Sequence, residues 1–162
     1  LYLTHRNDGS FFATQLNSDD TVKTWKWIQK GHGFADRWFM ADIFGGGRPV
    51  YVSHKNNGTF YATQLNIDGT FKNWKWTGGH GVANRAAFVD FYGTGQMVYV
   101  THNNNGTFYI TRLNKDETVD NFTSRGHGAA NISDFADIFG IGKKNFVTHR
   151  SSGEFYSTQG NP

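Results

Sequence analysis

The chain has 162 residues, among them 20 glycines, 2 prolines and no cysteine, and 17% of its residues are aromatic. That length suits one compact domain, and the missing cysteines exclude a disulfide framework, a thiolate metal site and a cysteine nucleophile. A net charge of +3 without Lys/Arg runs argues against nucleic acid, and no stretch approaches the roughly 18 apolar residues of a membrane-inserted helix.

The predicted elements are all strands. The chain opens on a short strand, Leu1 to His5, that runs into a polar Gly-containing turn. Phe71 to Trp76 reads as a strand whose two-residue period puts Trp74 and Trp76 on one side. Ala86 to Phe91 is a nearly continuous apolar run, the pattern of an inner strand buried on both faces. Gly93-Thr94-Gly95 turns the chain into Met97 to His102, which ends at Asn103-Asn104-Asn105-Gly106, a strong hairpin signal. Thr107 to Leu113 follows, rich in β-branched and aromatic residues, and the last strand spans Phe155 to Gln159.

These elements repeat. Thr4-His5 to Phe12 recurs as Ser53-His54 to Tyr61, Thr101-His102 to Tyr109 and Thr148-His149 to Tyr156. Gly31-His32-Gly33 recurs as Gly79-His80-Gly81 and Gly126-His127-Gly128, and the turn after Asp42 recurs after Asp90 and Asp137. A spacing of about 48 residues filled with short strands and Gly turns predicts an all-β propeller of four-stranded antiparallel blades. The repeats are 1–49, 50–97, 98–144 and a partial 145–162, within one domain spanning 1–162. The end blades come out incomplete, three strands each, which predicts a homo-oligomer or a fragment of a longer propeller, since bare edges invite pairing.

Turn topology places the second-to-third strand hairpin and the link to the next blade at the same end. Both histidine series therefore fall on one face. No Gly-x-Ser-x-Gly elbow, His-Glu-x-x-His helix or phosphate loop is present, and every promising residue type recurs once per repeat, so an enzyme is not expected. Three readings remain for this face. Carbohydrate binding would use His32, His54, Asn56, His80, Arg85, His102, Asn104 and His127 for hydroxyls, with Trp27 and Trp76 as aromatic plates. Alternatively the tryptophans pack between blades, the Gly-flanked histidines form tight inter-blade links, His5, His54, His102 and His149 buttress the hairpins, and the face is a protein-interaction or adhesion scaffold. Less favoured is a metal site built from the Gly-flanked histidines, since three imidazoles with an open position suit zinc.

An apolar inner strand ending in Asp, a Gly-x-Gly turn, a second strand and an Asn-rich hairpin resemble the FG-GAP/VCBS class of propeller repeats. Within it the chain is similar to propeller lectins of the Psathyrella velutina type. The resemblance implies a multivalent lectin, extracellular, whose partners are glycans or glycoconjugates. Many such repeats hold calcium through Asp-x-Asp-Gly-Asp-Gly turns. Here only Asp42, Asp90 and Asp137 remain, a thin supply for an ion wanting six to eight oxygens, so no cofactor is expected. These carboxylates are expected instead to accept the N–H groups of their own turns.

Overall fold

The computed structural model describes residues 2–27, 35–128 and 131–160, and all regular structure in them is β-strand. Sheet 1 contains β1 (Tyr2–His5), β2 (Phe11–Leu16) and β3 (Val22–Trp27). Sheet 2 contains β4 (Arg37–Ala41), β5 (Val50–His54), β6 (Phe60–Leu65) and β7 (Phe71–Trp76). Sheet 3 contains β8 (Arg85–Val89), β9 (Val98–His102), β10 (Thr107–Leu113) and β11 (Val119–Arg125). Sheet 4 contains β12 (Ile132–Ala136), β13 (Asn145–His149) and β14 (Phe155–Thr158). Neighbouring strands are antiparallel and follow chain order, so the molecule is all-β with sheets of three, four, four and three strands.

The turns explain the repeated small residues. In the β5–β6 hairpin, Lys55 N donates to Thr59 O at 2.8 Å and Gly58 N to Lys55 O at 3.0 Å. Gly58 has φ of +82°, a value glycine adopts without steric cost. The Asn57 side chain accepts from Thr59 N at 3.1 Å, and Asn105 accepts from Thr107 N at 3.0 Å, so Asn-Gly-Thr closes its own turn. After the first strand of a sheet, Asp90 accepts from Thr94 N at 2.9 Å and Gly95 N at 2.8 Å. Asp137 accepts from Ile141 N and Gly142 N, and Asp42 from Gly46 N and Gly47 N, in the same way.

Consecutive sheets pack through alternate residues of their strands. Val50, Val52, Phe60, Ala62, Trp74 and Trp76 of sheet 2 meet Tyr99 and Leu113 of sheet 3 in one buried cluster. Val98, Val100, Phe108 and Ile110 of sheet 3 meet Phe146 of sheet 4, and Phe11, Ala13 and Trp27 of sheet 1 meet Tyr51 of sheet 2. Each large side chain so buried stabilises the fold by roughly 1.5–3 kcal/mol. Two indoles also hook the next sheet: Trp27 Nε1 donates to Asn66 O at 3.0 Å and Trp76 Nε1 to Asn114 O at 2.8 Å.

The apolar run near residue 86 is not the most buried strand. β8 is half-buried throughout, whereas β5 and β9 are buried at every residue. The reason is topological: β4, β8 and β12 are edge strands with a ladder on one side only, and the second strand of each sheet lies under cover of its neighbours. In β4, Trp38 and Met40 are largely exposed. Between sheets 1 and 2 lies an apolar groove of about 360 Å³ among Leu3, Trp25, Met40, Tyr51 and Leu65.

Candidate functional site: the histidine face

A hairpin and a link build the face together. Gly79 N donates to Gly58 O at 3.1 Å, and Gly126 N to Gly106 O at 2.9 Å, pinning each link to the hairpin of the sheet it leaves. A Cβ on Gly81 would lie 2.6 Å from Asn56 O, and one on Gly79 would meet the Phe60 ring, so the glycines flanking the histidine exist for close approach. The histidine then reaches the following sheet. His80 N donates to Thr111 Oγ1 at 3.0 Å, and His127 N to Thr158 Oγ1 at 3.2 Å.

Those links set each imidazole against an aromatic ring of the next sheet. The rings of His80 and Tyr109 lie 4.9 Å apart, and those of His127 and Tyr156 4.6 Å apart. Beside the first pair is a cleft of about 260 Å³ lined by His80, Gly81, Val82, Ala83, Asn103 and Tyr109. Tyr109 is half-exposed while its chain neighbour Phe108 is fully buried, the two-residue period dividing the aromatic pair between cleft and core. Burial lowers the His80 pKa, partly opposed by the Phe122 backbone.

The rim is polar. Arg85 Nη1 donates to Asn104 Oδ1 at 3.0 Å, and Asn104 N donates to Asn84 Oδ1 at 3.0 Å. The second contact recurs as Asn56 N to Asp36 and Ser151 N to Asn131, each at 2.8 Å. Equivalent tyrosines differ in their cover. Tyr61 carries Lys55 and Lys75 over its ring at 5.5 and 5.9 Å, and Tyr156 carries Arg150 at 4.8 Å. At Tyr109 the positions of Lys55 and Lys75 are Asn103 and Thr123, which hold no charge to lie over the ring.

The structure thus divides the residues expected to bind. His80, Arg85, Asn104 and His127 stand on the accessible face, and Asn56 is exposed on the neighbouring hairpin. Trp27 and Trp76 do not: they are 5% and 0% exposed, with each indole N–H held by the next sheet, so packing consumes the surface a sugar would need. His54 and His102 are equally buried. His54 Nδ1 lies 3.1 Å from the Tyr99 hydroxyl with its ring stacked on Phe60, and burial holds its pKa down at about 4. His102 Nε2 donates to the His127 carbonyl at 3.1 Å, so it buttresses the link from below. His32 lies outside the described residues.

The tyrosine series and Asn103 were missed in the sequence. Their signal was present: of two adjacent aromatics on a strand only one can face the core. Among the described residues no three His, Asp or Glu side chains gather as a metal site requires. The turn aspartates spend carboxylate oxygens on backbone N–H groups. Comparison with protein-family models and with curated proteins gives no match for this chain.

Proposed function

We propose that the four sheets are successive blades of a β-propeller of the FG-GAP/VCBS kind, and that the protein is a non-enzymatic, multivalent carbohydrate-binding protein acting on extracellular glycans. The repeated half-exposed tyrosine beside a link histidine carries this reading. A sugar ring offers an apolar C–H face and a rim of hydroxyls, and the cleft at Tyr109 offers a matching plate and rim. Tyr109 supplies the plate. Asn103 supplies an amide that both donates and accepts, and Arg85 and Asn104 border it with further polar groups. At about 260 Å³ the cleft lies just below the usual size of ligand pockets, which suits one terminal sugar residue rather than a long chain.

Uncharged neighbours leave Tyr109 the barest plate, so its cleft is the strongest site. At the next one Arg150, ion-paired with Glu154 at 3.6 Å, lies over the Tyr156 ring and covers the plate. Single shallow sites of this kind are weak. Several on one rigid face raise avidity by about 10²–10⁴ without new contacts.

A glycan array with haemagglutination and inhibition by free sugar tests the reading. Binding that a specific sugar competes away, and that Tyr109→Ala weakens at least tenfold, supports it. Absence of binding across a broad array would favour the protein-interaction scaffold instead.

A further inference from the structure

Each pair of neighbouring sheets is joined by the same three-ring arrangement. Between sheets 1 and 2, the Tyr51 hydroxyl lies 3.0 Å from His5 Nδ1 and the Tyr51 ring 5.0 Å from Phe11, on which His5 stacks at 4.4 Å. Between sheets 2 and 3, Tyr99 meets His54 and Phe60 at 4.6 and 4.9 Å. Between sheets 3 and 4, Phe146 meets His102 and Phe108 at 4.2 and 5.1 Å. An aromatic from the second strand of one sheet is always the knob. The histidine–phenylalanine pair of the preceding sheet is always the socket.

Among the described residues, one knob and one socket are unmatched. Tyr2 occupies in β1 the place of Tyr51 and Tyr99 and is 70% exposed, against 4% and 0% for those two. On sheet 4, His149 and Phe155 are already stacked at 4.3 Å, as in the occupied sockets. Yet Phe155 is 71% exposed where Phe11, Phe60 and Phe108 are at most 1%. The surroundings agree. Leu16 and Val22, on the Tyr2 side of sheet 1, are exposed, whereas their counterparts Leu113 and Val119 pack into the preceding sheet. Ile138 is 46% exposed where its counterparts Ile43 and Phe91 are each at 1%. A shallow apolar hollow among Ile132, Ile138, Val147, His149 and Phe155 marks the vacant socket.

We propose that a second copy of this chain fills it, sheet 1 of one copy docking on sheet 4 of the other. Tyr2 lies on Phe155 and its hydroxyl donates to His149 Nδ1. A second copy is the occupant because it carries the complementary knob, in the register this chain already uses between its own sheets. The contact is heterologous, head to tail, and closes into a ring of copies where the rotation permits.

The test is sedimentation analysis of the chain and of two charge variants, Tyr2→Asp and Phe155→Asp, over a range of concentrations. Both positions are exposed, and near-UV circular dichroism verifies that each variant keeps its packing. The wild type should form species at multiples of 18.3 kDa, and each variant alone should sediment at 18.3 kDa. Mixing the two variants should restore a pair, because one retains Tyr2 and the other Phe155. Tyr2→Phe, which loses only the hydroxyl, should weaken association about 2- to 12-fold, the span of one net hydrogen bond. A wild type that stays at 18.3 kDa at every concentration, an assembly indifferent to both aspartates, or variants that fail to complement would each overturn the proposal.

Discussion

Replacing Phe146 by tyrosine should stabilise the protein, because the molecule contains one knob without its hydroxyl. His102 Nε2 donates to a carbonyl, which can only accept, so the proton sits on Nε2 and Nδ1 is a bare acceptor. That Nδ1 is buried and has no hydrogen-bond partner. In the equivalent interface the Tyr99 hydroxyl stands 3.1 Å from His54 Nδ1. A phenol at 146 would place a donor there and relieve an orphaned acceptor whose burial costs about 1–3 kcal/mol. The gain falls at the low end of that range. The Phe146 and His102 rings are 4.2 Å apart, against 4.6 Å for Tyr99 and His54, so the ring must draw back to admit the oxygen. A net gain of about 1 kcal/mol follows, seen as a rise of about 2–4 °C in midpoint for a chain of this size. Urea titration gives the free energy directly and Tyr99→Phe is the mirror control, with a loss of about 1–2 kcal/mol. An unchanged or lower stability for Phe146→Tyr, beside a neutral Tyr99→Phe, would refute the knob-and-socket energetics.

Trp76→Ala should cost about 3–5 kcal/mol of stability, measured by chemical denaturation, since it empties a fully buried site and removes the indole hydrogen bond to the Asn114 carbonyl. A stable Trp76→Ala variant that merely lost glycan binding would return the indole to the sugar site. Asn145 is completely buried with both amide atoms unpartnered, where the equivalent residues are Val50 and Val98, so Asn145→Val should raise stability by about 1–3 kcal/mol in the same assay. Acid should unfold the protein through its buried imidazoles. His54 is held at about 4 against an ordinary 6.5, mainly by burial, so the unfolded chain takes up the proton first. Its contribution is therefore complete above pH 6.5 and is lost as the pH falls towards 4, at up to about 1.4 kcal/mol per pH unit, with His102 adding in the same direction. Urea midpoints measured from pH 7 to pH 4 check this, and His54→Phe should flatten the slope.

The repeat made most of the architecture legible. Strand-sized apolar segments bounded by Asn-Gly and Gly-x-Gly turns led to sheets of three, four, four and three strands, and β7 and β10 have the bounds read from their residues. The Asp turns were equally readable, because a carboxylate preceding a glycine turn has backbone donors within its own reach. Burial was harder to read. Hydrophobicity ranked the run near Ala86 as innermost and deepest, but an edge strand keeps one side uncovered whatever its sequence. That fact belongs to the sheet, not to the strand.

The face showed the same division. His80 and its two glycines could be placed because chain direction fixes which loops share an end. The tryptophans could not, since whether an indole turns to solvent or to the next sheet depends on a residue 38 positions away, the Asn114 carbonyl. Tyr61, Tyr109 and Tyr156 escaped notice because each sits beside a phenylalanine of similar hydrophobicity. Only the two-residue period, applied after knowing which neighbour fills the core, separates them. The His54 and His102 imidazoles read both as sugar ligands and as buttresses of the hairpin, and the partners that decide for the buttress (a tyrosine and a link carbonyl) come from other parts of the chain.

The sharpest test of carbohydrate binding at this face is a crystal structure of the protein soaked with the best glycan from the array. A sugar ring should lie flat on Tyr109 with its hydroxyls bonded to Asn103 and the Arg85–Asn104 rim. A sugar bound at another surface, with the Tyr109 cleft empty, would contradict it.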